Sequence, residues 1–108
     1  MRIKLENFKE NIAAFMQDCG YMLIERRGEE WNFARSLAGR DYPRLHSYVK
    51  QEGSALMINL HLDQKRPSYE GASMHSGEYE GEVVENEAER IREVFKKSPG
   101  NSSSHKIF

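Results

Sequence analysis

The feature that most constrains this chain is an alternation over residues 44–63. Leu45 and Val49 recur on every second position of one run, and Leu56, Ile58, Leu60 and Leu62 do so on the next. Between the runs stands Glu52-Gly53-Ser54-Ala55. A period of two sends alternate side chains to opposite faces of a strand, and a Gly-Ser pair suits a two-residue hairpin turn. Two antiparallel strands are therefore expected at 44–51 and 55–63. In such a pair, opposed residues share a face. A turn at Gly53-Ser54 sets Leu45 against Leu62 and Val49 against Ile58, which gathers the aliphatic residues on one side. A slip of one residue would scatter them.

The same register fixes the other side. Arg44 falls across from Asp63, His46 from His61, Tyr48 from Asn59 and Lys50 from Met57. Two histidines, a carboxylate, a tyrosine and an arginine thus collect on one surface, and a two-residue slip would preserve the shared face.

The rest of the chain supplies what covers the aliphatic side. Leu5, Phe8, Ile12, Phe15, Met16 and Cys19 follow 3–4 spacing, so residues 5–19 are expected to form an amphipathic helix ended by Gly20. Strands are expected at 21–25 and 31–37, joined by a turn at 26–30 around Gly28. Trp31, Phe33 and Leu37 lie on one face of the second. Val84, Ala88, Ile91 and Phe95 mark a last helix over 82–97, with Glu82 and Glu85 at its positive end and Lys96-Lys97 at its negative end. Residues 64–82 carry almost no aliphatic side chains and are punctuated by Pro67, Gly71, Gly77 and Gly81, so a long polar loop is expected there.

The expected fold is a two-layer α+β domain in the order α-β-β-β-β-α. A four-stranded, mainly antiparallel sheet carries the N- and C-terminal helices on one face. Residues 1–97 form the single domain and 98–108 a polar, frayed tail. With 108 residues, of which 38% are hydrophobic and 31% charged, one small core is all that this chain can build. Each of Phe8, Phe15, Trp31, Phe33 and Phe95 is then worth roughly 1.5–3 kcal/mol on burial.

The net charge is −1, and nothing in the chain resembles a basic nucleic-acid tail or a polybasic membrane patch. Cys19, the single cysteine, cannot form an intrachain disulfide and is read as a packing thiol. No apolar run approaches the ~20 residues of a membrane span. A cytoplasmic location is expected.

Three functions fit the polar face. In the first, a small binding module uses it with the 64–82 loop. Tyr48 stacks on a ligand; Arg44, Lys50, Lys65 and Arg66 meet phosphate or carboxylate; His46, Asn59, His61 and Asp63 line the face; His75 and Tyr79 reach it from the loop. Its ligand is a nucleic acid, a peptide or a small anionic molecule. In the second, His46, His61 and Asp63, joined by His75 or Glu78, hold a divalent metal as cofactor for hydrolysis. In the third, a structural homodimer forms through Tyr48 and Met57. Phosphate-binding Gly-Lys-Ser/Thr loops, Gly-x-Gly-x-x-Gly, Gly-x-Ser-x-Gly, Cys-x-x-Cys and His-Glu-x-x-His are all absent, which removes the enzyme and zinc-finger classes recognised by those signatures. In element order alone the chain resembles double-stranded RNA-binding domains. Those open their final helix with a basic cluster, whereas this one has Glu82, Glu85, Glu87 and Glu89, so that function does not carry over.

Overall fold

The computed structural model describes residues 1–64 and 76–98, with the backbone alone for 76–80. In chain order the elements are β1 (Arg2–Leu5), α1 (Ile12–Asp18), β2 (Met22–Arg27), β3 (Glu30–Ser36), β4 (Arg44–Glu52), β5 (Ala55–Asp63) and α2 (Ser76–Lys96). The five strands form one antiparallel sheet in the order β1-β5-β4-β3-β2.

The hairpin adopts the expected register. Leu45 opposes Leu62, Val49 opposes Ile58, and Glu52 meets Ala55 across the two-residue turn. Gly53 has φ +63° there, a left-handed conformation that a side chain resists.

The N-terminus departs from expectation. Residues 5–19 are not one helix, and the sheet has five strands rather than four. Arg2-Ile3-Lys4-Leu5 pairs with β5, Arg2 opposite Asn59 and Lys4 opposite Met57. Asn7 then takes φ +55°, Phe8 N–H donates to Ser54 O at 2.8 Å, and Asn11 caps α1 by accepting from Ala14 N–H at 2.8 Å. The physical reason lies at the outer edge of β5. Without β1, the backbone groups along Leu56, Ile58 and Leu60 would face no partner. Leu5 and Phe8 are buried in either arrangement, so their spacing does not tell strand and turn from helix.

The last helix also starts earlier than residue 82, so residues 76–81 are not loop. Gly77 and Gly81 each cost about 1 kcal/mol relative to alanine in a helix. The extension grows from a segment already held by Val84, Ala88, Ile91 and Phe95, and adding turns to an existing helix is far easier than nucleating one. Ser98, the first residue of the expected tail, is buried and its hydroxyl donates to Glu10. Lys65, Arg66 and His75 lie outside the described residues, as does the tail from residue 99.

Both helices cover the same sheet face. Phe15, Met16 and Cys19 from α1, with Val84, Ala88, Ile91 and Phe95 from α2, pack on Ile3, Leu5, Phe33, Leu45, Val49, Leu56, Ile58 and Leu60. The rings of Phe8, Phe15 and Phe95 meet at centroid distances of 5.4–6.0 Å. Trp31 and Phe33 stack at 6.1 Å, and Arg26 closes over the indole at 4.2 Å. Cys19 is fully buried, and burial pushes its thiol up to about 12, so it stays protonated as a packing group. Ser47, opposite Phe33 and Leu60, is a fully buried polar residue on this face; its hydroxyl has no hydrogen-bond partner among the described residues.

One charged network lies in this layer. Glu87 is 5% exposed and accepts from Tyr21 Oη at 2.7 Å. Arg90 donates to it at 2.8 and 2.9 Å, and Arg35 lies 3.5 Å away. Arg90 also donates to Cys19 O, which ties α2 to the end of α1. Burial and the neighbouring carboxylate push the Tyr21 phenol well above its usual range, so it serves as donor. Gly20 sits beside this network with φ +94°, and a Cβ there would lie 3.3 Å from Arg35 Nε.

Candidate functional site

The opposite sheet face carries neither helix. The pairing of β3, β4 and β5 places its residues in rungs. Asp63, Arg44 and Ser36 form the first, and His61, His46 and Ala34 the second. With β1 and β2 added, Arg2, Asn59, Tyr48, Asn32 and Glu25 form a third that crosses all five strands. Lys4, Met57, Lys50, Glu30 and Arg27 form the fourth. Arg44, His46, Tyr48, Asn59, His61 and Asp63, which the hairpin alternation assigns to one surface, thus share this face.

Three rings form its centre. His46 and Tyr48 are 4.6 Å apart by centroid, and His61 meets Tyr48 edge-on at 5.7 Å. His61, Asn59 and Lys50 are exposed, while His46 and Tyr48 are half-buried. At the end of the sheet, Arg44 Nε lies 3.6 Å from Asp63 and its guanidinium sits over the Tyr42 ring at 4.8 Å. Burial, then the Arg44 charge, lower the affinity of His46 for a proton. Its imidazole is therefore neutral near pH 7.

The charge of this face is uneven. Over β1, β5 and β4 it presents Arg2, Lys4, Arg44 and Lys50 against the single carboxylate of Asp63. Arg44 is engaged by Asp63, and Lys4 reaches Glu6 at 3.5 Å with both side chains solvent-exposed. Among the described residues Arg2 and Lys50 form no ion pair. On the far side, Glu25 holds Arg27, and Glu30 of β3 stands directly across from Lys50. A chain with a net charge of −1 thus gathers an excess of cations on one half of one face, with Glu85 of α2 at its corner beside His61.

Three buried polar atoms without hydrogen-bond partners fall in the same area: Asn32 Oδ1, Arg44 Nε and His46 Nε2. An unmet buried polar atom costs about 1–3 kcal/mol, and native proteins keep few of them. Next to the rings, an open cleft of about 410 Å³ is lined by Met1, Leu60, His61, Leu62, Gly81, Val84 and Glu85 at the corner where β1 begins. His61 is the one ring of the central trio that borders it.

His46, His61 and Asp63 share the face as the alternation requires. Among the described residues, however, no three His, Cys, Asp or Glu side chains are grouped to hold a metal ion. Tyr79 falls in the first turns of α2, and Lys65 and His75 lie outside the described residues. Sequence reasoning misses Arg2, Lys4 and Asn32. The polar–apolar alternation of Arg2-Ile3-Lys4-Leu5 is the signal that would have found the first two. Asn32 follows once β3 is paired with β4, since it stands opposite Tyr48.

No helix among the described residues is long and apolar enough to cross a membrane. Compared with protein-family models, curated proteins and solved structures, the chain matches none.

Proposed function

We propose that this chain is a small binding module whose open sheet face takes an anionic ligand bearing a flat ring. The observation that carries the reading is the contact of the His46, Tyr48 and His61 rings at the centre of a cation-bordered face that neither helix covers. The exposed ring of His61 and the half-buried rings of His46 and Tyr48 offer stacking area at low entropic cost, and a phosphate or carboxylate is drawn by Arg2 and Lys50. A solvated face needs soluble side chains but has no need of touching rings at its centre. Asn32 Oδ1 and His46 Nε2 add unmet polar capacity for the ring edge of a seated ligand.

The test is an amide chemical-shift titration of the intact protein with uridine monophosphate and, separately, inorganic phosphate. Shifts confined to residues on β4, β5 and β1 that border the rings, and lost in Tyr48→Ala for the nucleotide, are expected. Shifts scattered over α1 and α2, or none at millimolar ligand, would reject the reading.

A further inference from the structure

We infer that the ligand of this face is single-stranded nucleic acid, an inference that rests on the binding-face reading and narrows it to one class. Small ligands are held by concavities that enclose most of their surface. The ring trio lies on the face of a sheet, and of its three rings the corner cleft takes in His61 alone. A broad open face is better matched by an extended polymer that presents flat rings and negative charges in repeat.

The spacing agrees. Neighbouring strands lie about 4.8 Å apart, and same-face residues along one strand about 7 Å apart. Tyr48 and His46 are successive same-face residues of β4, and His61 is the cross-strand neighbour of His46. A polymer crossing β4 and β5 therefore meets a ring at consecutive steps. The cations stand beside this track rather than in it, with Arg2 and Lys4 on β1 and Lys50 on β4. Bases on the rings and phosphates on the flanking cations is the general pattern of single-strand recognition. Asn59 and Asn32 sit on either side of Tyr48, where an amide can pair with a base edge.

A duplex offers less here, because its bases are stacked on one another and closed to Tyr48. An acidic peptide meets the cations but lacks a ring at each repeat. Glu85 of α2 lines the corner cleft with His61, so the phosphates pass on the side of Arg2, Lys4 and Lys50 rather than at that corner.

Fluorescence anisotropy with the intact protein separates these cases. The probes are a labelled oligouridylate of about 12 nucleotides, within the range that one such surface covers, and the same strand annealed to its complement. The single strand is expected to bind at least tenfold tighter than the duplex. Three phosphate contacts, from Arg2, Lys4 and Lys50, give a slope of about −2 for log affinity against log salt. Tyr48→Ala should weaken binding about tenfold, while Tyr48→Phe stays near wild type. Lys50→Ala should flatten the slope by about 0.7. Lys97→Ala, at the end of α2, should change neither. Equal binding of duplex, equal competition by an oligoglutamate peptide, or an unchanged affinity in Tyr48→Ala would overturn the inference. If uridine monophosphate shifts the face but the 12-mer binds no tighter, single-strand recognition fails while the anionic-ligand reading stands. If neither ligand touches the face, both fall.

Discussion

On β5, Leu60 and His61 are chain neighbours with opposite fates. Leu60 is buried under the helices with Ile58 and Leu56, whereas His61 is exposed beside Tyr48 and Asn59. The two faces of the one sheet divide the work of the molecule. The helix-covered face holds the aliphatic residues, three phenylalanines in contact and a satisfied ion network. The open face holds rings, unpaired cations and most of the unmet polar atoms found among the described residues. Folding free energy is concentrated on the first, and the second is left with groups whose bonding is incomplete. Binding surfaces have this character, because a group fully satisfied within the protein has nothing to offer a ligand.

Substitutions that break this comparison have a clear order. Phe15→Ala empties a site 1% exposed and is expected to cost about 3–5 kcal/mol. Tyr48→Ala should stay within about 1 kcal/mol, since its ring is half-buried and its neighbours are polar. Urea denaturation of both measures the difference, and equal losses would make the open face a second core. Next comes Glu87→Gln. It keeps the shape but leaves Arg35 and Arg90 without their carboxylate, at about 2–3 kcal/mol, below the cost of a fully buried pair because both guanidiniums reach solvent. A loss under about 0.5 kcal/mol, the range of an ordinary surface substitution, would reduce the network to surface electrostatics.

Ser47→Ala has the opposite sign. It removes a buried hydroxyl that has no partner, so the urea midpoint should rise, with a gain of about 1 kcal/mol. A destabilised variant would reveal a hydrogen bond made by that hydroxyl. The smallest effect is the pH dependence of His46. Its folded-state pKa is lowered, so the unfolded chain takes up the proton first as acid is added. The contribution is complete above the unfolded value of about 6.5 and is lost as pH falls below it toward the folded value. His46→Gln should flatten thermal stability over that interval. A variant with the wild-type slope would transfer the effect to another group.

Much of this contrast is legible before any coordinates. The hairpin register, with His46 opposite His61 and Tyr48 opposite Asn59, follows from the leucine alternation and one Gly-Ser turn. The apolar stripe of the last helix is read correctly from Val84 to Phe95. Its start is not, because Gly77 and Gly81 resemble breakers while the helix propagates through them. The N-terminal strand is hidden because Leu5 and Phe8 satisfy a helical spacing and a strand–turn equally well. The Glu87 network has no local signal: Tyr21 and Glu87 are 66 residues apart, and a glutamate on a charged helix looks solvated until its partners arrive.

The sequence by itself determined the two-faced hairpin, the residues on each of its faces and the apolar side that the helices cover, since alternation and turn chemistry act over a few residues. Only the tertiary structure decided that Arg2 and Lys4 join the ring-bearing face, that Asn32 stands beside Tyr48, and that Glu87 is buried among two arginines and a phenol. Those outcomes depend on which edge needs a fifth strand and on which helix face meets the sheet. Both are settled by pairing backbone groups and burying surface between segments far apart in the chain.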